Sequence, residues 1–379
     1  MTTVHTLMGQ ASRRRFLSNT AVALASTALP AINFAQTAAP VERKFSPVPG
    51  NWRTFEVTTR VDILKPNGAT KVWLPIPSVN SDWQKSLESS YSSNGKTQMQ
   101  DDDHYGAKML YVEFAEGETK PYVELTSRIQ TQNRALDWNQ KLLVAEDAAT
   151  LKYWTQPTHL LPTDGIVRST AQEATRGAKT DVEKVQKLFD WIVTKTYREP
   201  KVRGCGEGDI KTMLETSNLG GKCADLNALF VGMCRSIGIP ARDVYGLRVA
   251  PSAFGYKELG GNSAGLKGAQ HCRAEVYLTG HGWVGMDPAD VAKVMRQETP
   301  EWIKTAANPV VAPVNKALFG GWEGNWMAYN VAHDVALPNA SGPKLGFFMY
   351  PAAENAAGRL DSYAPDDFKY QISAKEIKA

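Results

Sequence analysis

The chain is poor in cysteine, in surplus charge and in long apolar runs. Four cysteines among 379 residues cannot build a disulfide scaffold, so each has to be read singly. Lys+Arg 43 against Asp+Glu 39 gives a net charge of +4. Arg13, Arg14 and Arg15 supply most of that surplus from one terminal segment, so the charge gives no case for nucleic acid or an anionic surface. Metal motifs are missing too. The six histidines (5, 104, 159, 271, 281 and 333) form no HExxH pair and no two cysteines have zinc-site spacing, so neither a metal nor another cofactor is expected. What is present is ordinary. Hydrophobic residues make up 42% and charged residues 22%, which excludes disorder and collagen-like repeats. The length suits two domains of usual size or one large domain with an appendage.

Residues 1–35 carry an address. Ser12-Arg13-Arg14-Arg15-Phe16-Leu17 precedes a mild, alanine-rich run from Ala21 to Ala31 that Pro30 interrupts. This order resembles a bacterial twin-arginine export signal, and Asn33-Phe34-Ala35 offers a small residue for cleavage. The run is too short to remain in a bilayer, and no second one of about 20 residues follows. The expectation is export by the twin-arginine route into an oxidising periplasm, with no membrane insertion of the mature protein.

Residues 36–140 read as a small N-terminal β-sandwich domain. Phe55, Val57, Thr59, Val61 and Ile63 alternate with polar neighbours, a period of two. Val72, Leu74 and Ile76 repeat the pattern, as do Leu110, Val112 and Phe114, and then Val123, Leu125, Ser127 and Ile129. The Ser- and Asn-rich stretch from Ser86 to Gly95 reads as a loop. Asp101-Asp102-Asp103-His104 reads as a solvated loop rather than a metal site, because no second cluster completes a cage.

From about residue 145 the period becomes helical. Thr180 and Glu183 form a capping box ahead of Val185, Phe189 and Ile192. Gly165 to Arg176 and Asp209 to Thr216 are weaker helices. Another starts at Lys222 or Cys223, carries Leu226, Phe230, Met233 and Ile237 in one stripe, and stops at Gly238. Strand-like segments follow at Arg242 to Val249, Cys272 to Leu278 and Trp283 to Asp287. Helices packed on an antiparallel sheet make residues 141–379 an α+β domain. Its end, residues 331–379, is expected to wrap the core and finish in a strand near Lys369 to Ile372.

Chemistry concentrates at two places. In Gly220-Gly221-Lys222-Cys223-Ala224-Asp225-Leu226 the cysteine falls in the first helical turn, where free N–H groups and the helix dipole favour a thiolate. Alone, such a cysteine serves equally as an inert core residue. In Gln270-His271-Cys272-Arg273-Ala274-Glu275-Val276-Tyr277-Leu278, His271, Arg273, Glu275 and Tyr277 share one strand face. A hairpin centred near Gly280 then brings Asp287 opposite Arg273 and one diagonal from His271. A carboxylate there can hold one imidazole nitrogen while the other addresses a thiol.

Together with Gly238-Ile239-Pro240-Ala241-Arg242 and Gly282-Trp283-Val284, these segments resemble the transglutaminase-like superfamily over about residues 145 to 290. The resemblance implies a papain-like core. It makes Cys223 the nucleophile, His271 the general base and acid, and Asp287 the residue that orients it. It also implies a cysteine-dependent enzyme acting on amide bonds through a thioester, either a peptidase or amidase or, alternatively, a protein-glutamine acyltransferase. A member that binds a peptide without turning it over is the third reading. The compartment suggests peptide or protein substrates associated with the cell wall.

Five further residues are candidates for touching substrate. Tyr197 and Asn218 would join the Cys223 N–H as oxyanion donors, although each also suits an ordinary half-buried or turn position. Arg273 stands where the family often has an aromatic residue, which bears on specificity. Trp322 and Trp326 either line a peptide cleft or, four apart on a helical turn, plug the core. Cys205, in the glycine-rich loop from Arg203 to Asp209, is expected at the cleft rim or in a disulfide with Cys234 or Cys272.

Overall fold

Alternating apolar residues draw the first region into strands. The computed structural model describes residues 43–142, 145–364 and 366–378, and the twin-arginine segment lies outside them. It begins with β1 (Arg53–Ile63), β2 (Thr70–Pro75), β3 (Gln84–Ser93), β4 (Lys96–Asp101), β5 (Lys108–Phe114), β6 (Tyr122–Thr131) and the short β7 (Arg134–Ala135). Helices then take over: α1 (Ala148–Tyr153), α2 (Gly165–Ala174) and α3 (Asp181–Lys195), followed by β8 (Tyr197–Arg198), α4 (Ile210–Glu215), β9 (Gly220–Gly221) and α5 (Cys223–Ser236). The chain returns to strands with β10 (Ala241–Arg248), β11 (Gln270–Leu278) and β12 (Gly282–Met286). After α6 (Pro288–Gln297) and α7 (Ala312–Ala317) come β13 (Gly321–Trp322), β14 (Trp326–Asn330), β15 (His333–Val335), β16 (Leu345–Phe347), β17 (Ala352–Asn355), β18 (Gly358–Arg359) and β19 (Phe368–Ile377).

Two antiparallel sheets, ordered β19-β1-β6-β3 and β18-β17-β2-β5-β4, make the sandwich. A third, β12-β11-β10-β14, carries the helices. The expected wrap by the C-terminal segment is replaced by strand pairing. β19 runs against the whole of β1, from Thr54 opposite Ile377 to Ile63 opposite Phe368, and β17 pairs with β2. Residues 352–377 therefore complete the sandwich. The boundary expected at residue 140 is not a packing boundary either. Phe55, Val61 and Phe114 of the sandwich share one apolar core with Phe189, Phe230 and Val244, and the described residues fall in one compact unit.

Ser86 to Gly95 is not a loop but mostly the edge strand β3, paired with β6 and pinned by the Ser89 and Ser127 hydroxyls at 2.8 Å. Main-chain pairing alone sustains an edge strand, so no apolar alternation marks it. The acidic cluster after β4 is a turn, in which the Asp102 carboxylate accepts the backbone N–H groups of His104 and Tyr105.

The capping box of Thr180 and Glu183 starts α3 as expected, and Val185, Leu188, Phe189 and Ile192 form its buried face. α5 differs from the amphipathic helix expected, because all 14 of its residues are buried. Helices α2, α3, α4 and α6 and strands β10 and β11 surround it. Its polar residues are therefore bonded internally; Arg235, for example, donates to the carbonyls of Ala241 and Gln156 at 2.7 and 3.1 Å.

Candidate active site

Cys223 opens α5, so its own N–H has no acceptor within the helix. The next N–H, of Ala224, donates to the Cys205 carbonyl at 2.9 Å. The Asp225 carboxylate accepts three more main-chain N–H groups, from Lys222 at 2.8 Å and from Glu207 and Gly208 at 2.9 Å. These bonds lay the glycine-rich loop across the start of the helix. Gly206 is required there, since its φ is +90° and a Cβ would sit 1.8 Å from the Asp225 carboxylate. The loop sets the Cys205 thiol beside Cys223, with Cys272 as the second sulfur neighbour. All four cysteines are free, so Cys205 is not in the disulfide weighed above. Its sulfur lies 3.2 Å from the Gln270 carbonyl and accepts from the Tyr350 hydroxyl at 3.0 Å.

β11 and β12 meet in the expected register. Ala274 lies opposite Met286, and the next step along the hairpin sets Arg273 against Asp287. His271 Nε2 donates to Asp287 Oδ2 at 2.7 Å and lies 3.3 Å from Asp290 Oδ2. That leaves Nδ1 for the Cys223 thiol, whose ionised form the ring favours. Asp287 is itself held as the N-cap of α6, accepting from the Asp290 N–H at 3.1 Å and from Asn227 Nδ2 at 3.2 Å. Arg248 donates to Asp290 at 2.6 Å.

The electrostatics follow from burial and these partners. Hydrogen bonds from Cys205, then Cys272, and the His271 ring hold the Cys223 thiol well below its ordinary pKa, against the opposing effect of burial. Cys205 is pushed up, first by its hydrogen bond to Cys223, and Cys272 is pushed up, first by burial. The negative charge of the sulfur cluster thus settles on Cys223. Burial and Arg248 work against the His271 imidazolium, but Asp290 and Asp287 outweigh them and raise its pKa to about 9. Asp290 stays ionised despite burial because Arg248 and His271 face it, while burial and Asp290 raise Asp287. The arrangement is a thiolate–imidazolium pair backed by two carboxylates, able to attack a carbonyl carbon and to protonate a leaving group.

The five other candidates separate from this centre. Tyr197 lies on β8 under Gly220, whose absent Cβ leaves room for its ring, and packs near Trp302 at 5.7 Å. Asn218 is an exposed turn residue that accepts the Gly220 N–H at 3.4 Å. Arg273 is 2% exposed and sits behind the site, 3.4 Å from Asp287, with its guanidinium over the Trp326 and Trp322 rings at 4.5 and 5.1 Å. Its hydrogen bond goes to the Glu323 carbonyl at 3.2 Å, and it does not line the cavity at Cys223. Trp322 and Trp326 lie on strands rather than a helical turn and are core plugs against Trp83, at 5.1 and 5.9 Å. Trp326 Nε1 also donates to the His271 carbonyl at 2.9 Å.

Sequence reasoning missed Asp290, Arg248, Asn227, Asp225 and Gln270. A helix-start pattern was there to find: Asp287-Pro288-Ala289-Asp290 has a capping acid, proline in the first turn and a second acid three residues on. His271, Asp287 and Asp290 bring ligand atoms within 4.8 Å of one another, the geometry of a metal cluster. Arg248 and Arg273 already face the two carboxylates, so this donor set does not fit a divalent ion.

Cys223 and His271 open into a cavity of about 310 Å³. Gln270 lines it with a buried side chain whose amide nitrogen and oxygen both lack partners; the nearby Tyr370 hydroxyl turns to the Lys267 carbonyl instead, at 3.4 Å.

Comparisons with known proteins agree with this geometry. The profile of the transglutaminase-like superfamily matches residues 168–288, the span from α2 to the start of α6. An uncharacterized protein of Haemophilus influenzae is 32% identical over 343 residues, covering 85% of this chain and 91% of its own. The crystal structure of a candidate cysteine protease from Cytophaga hutchinsonii has a similar fold, with a TM-score of 0.52 at 15% identity, covering 88% of this chain and 94% of that one. By profile, by fold and by the Cys-His-Asp arrangement, the chain belongs to the transglutaminase-like superfamily.

Proposed function

We propose that the protein is an exported cysteine-dependent amide-bond hydrolase. The observation that carries this reading is the buried Cys223, at the start of α5, beside a His271 ring that Asp287 holds at 2.7 Å. The Cys223 thiolate attacks a carboxamide carbonyl, and His271 gives its Nδ1 proton to the departing amine, leaving a thioester. His271, now neutral, takes a proton from water as the water attacks, and the acid is released as Cys223 regains its thiolate. The Cys223 N–H is the first oxyanion donor and the unpartnered Gln270 amide the second. An amine in place of water would give acyl transfer by the same steps. A mere binder has no use for a buried thiolate–imidazolium pair, whose desolvation costs folding stability.

The test is the pH dependence of Cys223 alkylation by iodoacetamide. The rate should stay high well below the free-thiol pKa of about 8.5 and collapse in His271→Ala. A Cys223 that is unreactive at neutral pH, or disulfide-bonded, overturns the reading. Export belongs to the same proposal. Replacing Arg13, Arg14 and Arg15 by lysine should hold the chain in the cytoplasmic fraction, and export of that variant at the wild-type level refutes the twin-arginine route.

A further inference from the structure

The cavity at Cys223 has an unbalanced wall. Arg198, Arg248 and Lys293 line it, and no carboxylate does. Two of the three cations are neutralised from outside the cavity, Arg248 by Asp290 at 2.6 Å and Lys293 by Glu258 at 3.3 Å. Arg198 is not. Its Nε donates to the Gln297 side-chain carbonyl at 3.0 Å, and among the described residues it has no acidic partner. Lys222, next to the nucleophile, adds a second cation without a salt bridge among those residues; burial and then the Arg198 charge lower its pKa, against the opposing effect of Cys205, Cys223 and Asp225. Arg198 also works against the Lys293 ammonium. Arg198 is half-buried on the cavity wall, and a charge placed there without a carboxylate partner is one that the fold itself does not offset.

The rest of the wall suits a chain carrying an amide. Gly260, Gly261, Gly265 and Gly268 line one stretch of it, and a Cβ at Gly265 or Gly268 would meet open space. Gln270 offers one unpartnered donor and one unpartnered acceptor.

We infer that this cavity selects amides bearing a free carboxylate close to the scissile bond, with Arg198 as the residue that recognises it. The inference rests on the cysteine-hydrolase reading and names the substrate class of that site. A planar guanidinium with its remaining N–H groups free is the side chain best shaped for a carboxylate. Two sources supply that chemistry, the α-carboxylate of a chain end and the side chain of an acidic residue.

Haloacetyl amides separate these cases, because alkylation of Cys223 puts the amide at the site and its amine portion where the leaving group would lie. The reagents are N-iodoacetyl-glycine, with a chain-end carboxylate, N-iodoacetyl-aspartic acid α-amide, with a side-chain carboxylate, and the neutral N-iodoacetyl-glycinamide. At least one anionic reagent should modify Cys223 about tenfold faster than the neutral one at low salt, and the advantage should shrink as ionic strength rises. Whichever reagent is preferred identifies the source. In Arg198→Gln the ratio of anionic to neutral rates should fall to about that of free glutathione, and in Arg198→Lys, which keeps the charge but not the planar fork, it should lie between the two. Taking the ratio cancels any change in the thiolate itself. Rapid but equal modification by all three reagents overturns the inference and leaves the hydrolase reading standing. So does an anionic preference that survives in Arg198→Gln. A Cys223 that none of them modifies overturns both.

Discussion

β1 and β11 are both alternating strands, and the same pattern means different things in them. On β1, buried Phe55, Val57, Thr59, Val61 and Ile63 alternate with half-exposed neighbours, and Glu56 meets Arg128 at 2.8 Å with both side chains still in contact with water. On β11 all nine residues are buried. α5 packs on the strand, and the Trp83, Trp322 and Trp326 cluster encloses the guanidinium of Arg273. The buried Glu275 therefore pairs with the buried Arg134 and the half-buried Arg242. Alternation reports which residues share a face and says nothing of what the face meets. A polar face that loses water must be closed by ion pairs and hydrogen bonds among its own members. Such a face carries His271 here.

Removing one acid from each strand gives the sharpest test of that contrast. Glu275→Ala leaves the buried Arg134 and the half-buried Arg242 without their carboxylate and should lower unfolding free energy by about 3 kcal/mol in urea titration. Glu56→Ala, on the wet face, should change it by about 0.5 kcal/mol or less. Equal losses would mean that the two faces are alike after all. The acid limb adds a second reading. Burial works against the Glu275 carboxylate, but Arg242 and Arg134 lower its pKa from 4.5 to about 2. A depressed carboxylate contributes stability that is fully present above its unfolded pKa and lost as pH falls through the folded one. Stability should thus decline between about pH 4.5 and 2 in the wild type, and that slope should flatten in Glu275→Gln.

The contrast also explains how much could be read in advance. The β1 and β6 segments were legible because each has one wet face, so hydrophobic period and burial coincide; in β2 and β5 the period marked Val72, Leu74, Leu110 and Val112 correctly, although Trp73, Met109 and Tyr111 on the other face are buried as well. The Cys223, His271 and Asp287 set was legible because a helix start, a strand face and a hairpin register are local properties that spacing fixes. What spacing could not supply was the second cover of β11. Arg273 was a candidate from its place in the family pattern, and Trp322 and Trp326 suited either a cleft or the core; the cover over β11 puts all three in the interior. β3 escaped notice because serines on an edge strand bury little, and the pairing of β19 with β1 joins residues more than 300 apart. Arg248 and Gln270 belong to the site through β10 and β11 alone, with no local motif to mark them.

A smaller effect should follow from neutralising the acid nearest the histidine. Asp287→Asn keeps an oxygen to cap α6, so the helix start survives. It cannot balance the imidazolium, however, and Asp290, tied to Arg248, is left as the sole carboxylate on the ring. The His271 pKa should fall and the Cys223 thiolate lose its counter-ion. Iodoacetamide alkylation at pH 6 should slow by at least about tenfold, one pKa unit of lost pairing, with thermal unfolding changed far less than in Glu275→Ala. An unchanged rate would show that Asp290 alone orients the ring, and the carboxylate role would move to α6.

The least of the expected effects tests whether the tryptophan cover of β11 acts by packing or by bonding. Trp326→Phe keeps an aromatic face for the Arg273 guanidinium but removes the Nε1–H that the His271 carbonyl accepts at 2.9 Å. That carbonyl is buried, so its lost bond should cost about 1 kcal/mol, and the smaller ring leaves a void that adds to it. The alkylation rate of Cys223 should change little, since the bond is to the backbone and the imidazole remains held by Asp287. A loss confined to stability would mark the sheet's second cover as structural. A large fall in alkylation would instead mean that the His271 backbone shifts when its carbonyl is released, making Trp326 a positioning residue for the ring.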